Sequence, residues 1–264
     1  MKVKKIVKIA VPIIGVLVIV QLGAMGWIGG LGPLGFLANI RMERIPGNAK
    51  QYHPENVQPL TESPLQGKTV CFLGSSVTYG SASLGVSMAD YISILDNCNV
   101  IKEAVSGTTL AGTDDSTYVS RLLANVDTNA DIDILVCQLS TNDASQDLPL
   151  GVVSTDTELT NFDRGTIIGA MEYIIVYARQ TWGCDVVFYT GTRYDSTGYE
   201  AMVNVLPALQ EKYGITVIDL WNDAEMNAVT ADQRAFYMND DIHPTQAGYL
   251  EWWVPKFQEV LYQL

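Results

Sequence analysis

The chain has 264 residues, enough for one domain with a full core plus an appendage, and 48% of them are hydrophobic. Its first 66 residues hold seven of the 16 basic and three of the 29 acidic residues, which leaves a body of nine basic and 26 acidic residues with a net charge of −17. A body so acidic, with no basic stripe, argues against nucleic acid and anionic polymers as partners and favours a neutral substrate, although a local pocket can depart from the global field.

No charged residue occurs from Ile9 to Ile40, while Lys2, Lys4, Lys5 and Lys8 precede that run and Arg41 and Arg44 follow it. The stretch from Ile9 to Ile28 has the length and polarity of a membrane-spanning helix. The lysines before it favour a cytoplasmic amino terminus with the rest of the chain exported. A cleaved signal peptide is the competing reading, with Leu22-Gly23-Ala24 as its candidate site. The bulk of Leu22 and the continuing apolar run favour an uncleaved anchor over residues 1–40. Gly29 to Asn39 is glycine-rich and reads as irregular. Residues 41–66, with Pro46, Pro54, Pro59 and Pro64 among polar residues, read as a linker that holds the body off the membrane.

From residue 67 onward, strand and helix patterns alternate. Strands are expected at 68–74, 99–105, 131–140, 184–191 and 215–221, and helices at 87–97, 117–126, 165–182, 198–214 and 245–264. The helix at 117–126 places Val119, Leu122, Leu123 and Val126 on one face, and Pro207 should break the helix at 198–214. This alternation defines an α/β fold with a mostly parallel sheet, in which ligands sit beyond the carboxyl ends of the strands.

Those ends carry the chemistry. The first strand finishes in Gly74-Ser75-Ser76, the second is followed by Ser106-Gly107-Thr108, and the third finishes in Ser140-Thr141-Asn142-Asp143. Asp240-Asp241-Ile242-His243-Pro244 precedes the last helix. Serine acyl transfer needs a serine, a histidine to take its proton, a carboxylate to fix the ring, and donors for the oxyanion. The chain has two histidines, and His53 lies in the proline-rich segment, so His243 is the one candidate base in the body.

These residues resemble the blocks of the SGNH, or GDSL-type, hydrolase superfamily. Gly74-Ser75-Ser76-Val77-Thr78 matches its nucleophile block, Gly107 its oxyanion glycine, Ser140 to Asp143 its Gly-x-Asn-Asp block, and Asp240 to Pro244 its Asp-x-x-His-Pro block. The resemblance covers residues 68 to 264. It implies a three-layer α/β/α fold with a five-stranded, flavodoxin-like sheet. It also implies Ser76 as nucleophile, His243 and Asp240 as its triad partners, and an oxyanion hole from the N–H of Ser76, Gly107 and the Asn142 side chain. No metal and no cofactor are implied. Ser75 stands where an aspartate is usual and Ser140 where a glycine is usual. Ser75 is expected to accept an N–H in the turn, and Ser140 to narrow the pocket or add a hydrogen bond.

The substrate implied is a small acylated molecule, with short acyl groups on carbohydrate ahead of membrane-proximal lipid or thioester hydrolysis. A catalytically idle binding module on the same scaffold is the alternative of another class. A nucleotide-binding protein is disfavoured, because the first turn lacks both the Gly-x-Gly-x-x-Gly spacing and a phosphate-loop lysine. The loop 144–163 is expected to border the substrate pocket, with Asp147 and Arg193 as weaker contact candidates. Trp253 is read as core, and Tyr79 as a packing residue ahead of a pocket-lining one. Cys71, Cys98, Cys137 and Cys184 have the spacing of neither a zinc site nor a redox pair and are read as buried free thiols.

Overall fold

The five short apolar runs form one parallel sheet in the order β2-β1-β3-β4-β5, seen in a computed structural model that describes residues 36–264. The strands are β1 (Thr69–Gly74), β2 (Asn99–Ala104), β3 (Ile134–Gln138), β4 (Asp185–Tyr189) and β5 (Thr216–Ile218). Both faces of β1 and β3 are covered, which is why their sequences are apolar throughout rather than alternating. Cys71, Leu73, Leu135 and Cys137 point into one core, completed by α4 (Tyr118–Asn125), α6 (Ile167–Trp182), α7 (Thr197–Val203) and α8 (Leu206–Tyr213). Val70, Phe72, Ile134 and Val136 point into the other, completed by α3 (Met88–Asp96) and the carboxyl-terminal helix. The architecture is three-layer α/β/α.

Pro207 divides α7 from α8 and takes a first-turn position in α8, where its missing N–H costs nothing. The terminal helix carries a turn of π-helix, Gly248–Trp253, before α10 (Val254–Leu261), with Pro255 in the first turn of α10. Trp253 is fully buried, as its helical position predicts, and Trp252 stacks on Tyr237 with ring centroids 5.6 Å apart. All four cysteines are free and buried. Burial pushes the Cys71 thiol up to about 12 and those of Cys98 and Cys184 to about 11.

Two expectations about the amino-terminal region change. Residues 36–39, read as irregular, belong to helix α1 (Phe36–Glu43). The segment read as a linker is docked on the domain through three 3-10 turns, Pro46–Asn48, Lys50–Tyr52 and Pro54–Asn56. Its buried Asn48 donates to the carbonyls of Met42 (3.0 Å) and Ala82 (2.8 Å) and accepts from the Gln246 N–H (2.8 Å). The Tyr52 carbonyl accepts from Tyr91 Oη, and Leu65 is buried. The prolines at 46 and 54 start turns rather than extend a spacer, and three anchoring side chains outweigh the polar average. The proposed anchor at 9–28 and its signal-peptide alternative lie outside the described residues. No described helix is long and apolar enough to cross a membrane.

Candidate active site

β1 ends in Gly74, and the short helix α2 (Ser76–Tyr79) begins two residues later. The turn is tight enough that a Cβ on Gly74 would lie 1.8 Å from Thr78 Oγ1, so only glycine fits. Gln138, the last residue of β3, holds the turn. Its Oε1 accepts from Ser75 N (2.9 Å), Thr78 N (3.2 Å) and Thr78 Oγ1 (2.8 Å). Tyr189 Oη lies 2.6 Å from Thr78 Oγ1. The one hydroxyl hydrogen of Thr78 goes to Gln138, so the buried phenol, its pKa pushed well up, donates to the threonine. Ser75 makes no cap: its Oγ turns to the same glutamine oxygen at 3.4 Å, contrary to the expectation of an acceptor in the turn.

Ser76 Oγ is 2.8 Å from His243 Nε2. His243 Nδ1 lies 3.0 Å from each oxygen of Asp240. Asp240 Oδ1 also accepts from the N–H groups of Ile242 (2.9 Å) and His243 (2.8 Å), which closes the Asp-x-x-His turn on itself. Burial raises the Asp240 carboxyl. The hydrogen bond and charge of His243, with the two backbone N–H groups, outweigh this and hold it well below the usual carboxylate range. An antiparallel bridge between Met238 and Pro244 clamps the base of the loop. A serine hydroxyl here can pass its proton to an imidazole whose other nitrogen is fixed by an ionised carboxylate.

Gly107 adopts φ +83, and a Cβ there would meet nothing within 4 Å, so conformation rather than space selects glycine. Asn142 begins the second turn position of α5 (Thr141–Ser145) and donates from Nδ2 to the carbonyl of Thr108 at 2.8 Å. One N–H of the amide is thereby committed to the Gly107 loop, and the second has no partner among the described residues. Ser140 is buried. Rather than narrowing a pocket it caps α5, accepting from Asp143 N.

Two residues to which the sequence analysis assigns no role of their own, Asp143 of the Ser140–Asp143 block and Arg121, hold these loops in register. Asp143 accepts from the N–H groups of Leu110 and Ala111, both at 2.8 Å. Burial raises its pKa against these bonds. Arg121, buried on α4, donates to Gly74 O (2.8 Å) and Thr108 Oγ1 (3.1 Å) and pairs with Glu103 (2.6 Å). The available signals were weak: an aspartate closing the Ser140–Asp143 block, and an arginine beside the apolar face of a helix.

Ser76, Asp240 and His243 open into a cleft of about 510 Å³. Its other walls include Tyr79, Ser81 and Ser106, whose Oγ atoms are 2.6 Å apart in the serine pair, and residues of α1. Tyr79 is 45% exposed and lines this cleft, so its role is not packing. None of residues 144–163 lines it. That loop is pinned on the opposite flank, where Lys212 Nζ donates to the carbonyls of Ser154 and Asp156 and pairs with Glu172. Asp147 faces a separate hollow with Leu148 and Met202. Arg193 lies over the Trp221 ring and bonds Asn222, likewise outside the cleft. Among the described residues no group of histidine, cysteine and carboxylate side chains could hold a metal ion.

A five-stranded parallel sheet with a serine–histidine–carboxylate chain at its carboxyl rim defines a serine hydrolase on a three-layer α/β/α scaffold. The profile of the GDSL-like lipase/acylhydrolase family matches residues 72–250. The chain belongs to that family and to the SGNH superfamily, and is a serine hydrolase acting on ester bonds. Solved structures share the fold. One is a protein from Lactobacillus plantarum, with 22% identity and a TM-score of 0.61 over 75% of this chain and 98% of the other. Another is a possible lipase from Chitinophaga pinensis, with 16% identity and a TM-score of 0.56 over 74% of this chain and 98% of the other. No curated protein sequence matches the chain.

Proposed function

We propose that the protein removes short acyl groups, acetyl foremost, from a carbohydrate outside the cytoplasm, tethered to the membrane by its amino-terminal segment. The observation that carries the catalytic part is the chain from Ser76 Oγ through His243 to Asp240, with links of 2.8 and 3.0 Å. Ser76 Oγ attacks the ester carbonyl as its proton passes to His243 Nε2, and Asp240 stabilises the imidazolium. The N–H groups of Ser76 and Gly107 and the free N–H of Asn142 receive the oxyanion. The intermediate collapses, the C–O bond to the alcohol breaks, and Nε2 returns the proton to the leaving oxygen. Water then repeats the cycle on the acyl-serine and releases the carboxylic acid.

Short acyl groups are favoured because the space behind the nucleophile turn is filled. The hollow between Val77, Thr141 and Ile242 measures about 10 Å³, room for a single water molecule. A long chain would have to lie in the open cleft. The second reading, a membrane-proximal lipid esterase, draws on a separate observation: Ala38, Asn39, Arg41 and Met42, at the end of the uncharged run, wall the cleft. An idle binding module has lost its support, since Ser75 and Ser140 both make structural hydrogen bonds.

The test is labelling by a fluorophosphonate and turnover of p-nitrophenyl acetate and its longer-chain homologues. Both should vanish in Ser76→Ala and His243→Ala, and wild-type turnover should fall as the chain lengthens. A folded wild type that neither labels nor turns over would overturn the reading, and a preference for long chains would select the lipid alternative.

A further inference from the structure

Arg41 follows the apolar run immediately, and by sequence it is a flanking cation of an anchor. The fold gives it another position. With Ala38, Asn39 and Met42 it forms the α1 wall of the cleft that holds Ser76 and His243. Among the described residues no carboxylate lies within ion-pair distance of it, and its Nε is buried with no hydrogen-bond partner. Four partly buried cations elsewhere are matched, Arg121 by Glu103, Lys212 by Glu172, Lys102 by Asp90 and Lys256 by Asp223, while Lys68, Arg164 and Arg234 also lack a carboxylate but bury no unpartnered nitrogen. A body with 26 acidic residues has placed none of them opposite this guanidinium. Asp240, the carboxylate within the cleft, is committed to His243 and two backbone N–H groups. The remaining polar wall, from Asn39, Ser81, Ser106 and Asn239, is neutral.

A partly desolvated cation with no counter-charge is unfavourable unless something else supplies one. We propose that Arg41 determines specificity by binding an oxyanion, a carboxylate or phosphate, carried by the alcohol portion of the ester. This rests on the esterase reading above. The alcohol portion is assigned because His243 must return a proton to the leaving oxygen, which places that oxygen on the His243 side of Ser76, and Arg41 shares that cavity. A guanidinium suits either anion, since its planar fork donates two parallel N–H bonds. The net negative charge of the body does not forbid this. Diffuse surface charges are screened over about 8–10 Å, whereas a contact inside the cleft is not.

The experiment compares three acetate esters on the full chain in non-ionic detergent: para-acetoxybenzoate, para-acetoxyphenyl phosphate and the neutral methyl para-acetoxybenzoate. Each rate is referred to spontaneous hydrolysis to cancel leaving-group reactivity. The wild type should favour one or both anionic esters. Arg41→Gln should lower the anionic-to-neutral ratio of kcat/KM by roughly tenfold to a hundredfold, the effect of one charge-assisted contact, and Arg41→Lys should restore part of it. Which anion responds more identifies the source, a sugar-acid carboxylate or a phosphate group. A wild type without anionic preference, or a preference that persists unchanged in Arg41→Gln, overturns the proposal while the neutral ester still reports an active esterase. If no ester is hydrolysed, the esterase reading fails and takes this one with it. The fluorophosphonate labelling rate shows whether a variant retains its site, and the wild-type preference decides the matter if a variant does not fold.

Discussion

Two buried ion pairs in this protein do the same mechanical task with different consequences. Arg121 and Glu103 hold the end of β1 against the loop after β2, and Lys212 and Glu172 hold the loop 144–163 against the helices. Lys212 pins its loop through two backbone carbonyls, and Arg121 ties the Gly74 carbonyl to the Thr108 hydroxyl of its loop. The first loop carries Gly107 and reaches the catalytic cleft, whereas the second contributes nothing to it. Burial and charge therefore mark where a loop is fixed, and only its position at the strand ends makes it catalytic.

The comparison can be sharpened by substitutions on the two sides. On the rim, Asp240→Asn should have the largest effect among variants that keep the serine and the base, on the order of 10⁴-fold in kcat, because the asparagine no longer fixes the ring or stabilises its cation. Steady-state turnover of p-nitrophenyl acetate measures it. Asp240 is held far below the usual carboxylate range, so it stays ionised and contributes no limb to the pH profile near neutrality. An Asp240→Asn variant with kcat intact would contradict the assignment. On the proposed mechanism Asn142→Ala removes an oxyanion donor and should cost on the order of 10²–10³-fold in kcat.

The two ion pairs then separate stability from catalysis. Arg121→Met leaves Glu103 and the Gly74 carbonyl without their partner, and Lys212→Met leaves Glu172 in the same condition. Each should lose about 3 kcal/mol in urea unfolding. Arg121→Met should also lower kcat/KM, because Gly74 and Thr108 lose their common tie, whereas Lys212→Met should keep it. Equal loss of activity in both would mean that the loop 144–163 acts on the site after all.

The smallest expected effect concerns the thiols. With Cys71 pushed up to about 12 and Cys98 and Cys184 to about 11, no thiolate is populated near pH 8. An aromatic disulfide reagent should find no reactive cysteine in the native protein and four after denaturation. Fewer than four in the denatured, unreduced protein would reveal a disulfide.

The sequence by itself determined the order of strands and helices, the break at Pro207, the burial of Trp253 and the residues of the serine–histidine–carboxylate chain. These are local matters. Period-two and period-3.6 patterns report which faces are buried, and a doubly covered parallel sheet places its strand ends on one rim, so polar residues at those ends meet there. What only the tertiary structure decided concerns partners distant in sequence. Gln138 lies 63 residues from the turn it holds, and Asn48 lies 198 from Gln246. Proline content described 41–66 as a spacer, but a few anchoring side chains dock it, and an average over composition cannot register them. The long loop 144–163 follows the Asn142 block directly in sequence, yet Lys212 and Glu172 draw it to the far flank. Arg41 reads as the cation after an apolar run, and only the docking of α1 beside Ser76 and His243 gives it a cleft to face. Contacts of this kind depend on where separate elements meet in space, which no periodicity along the chain encodes.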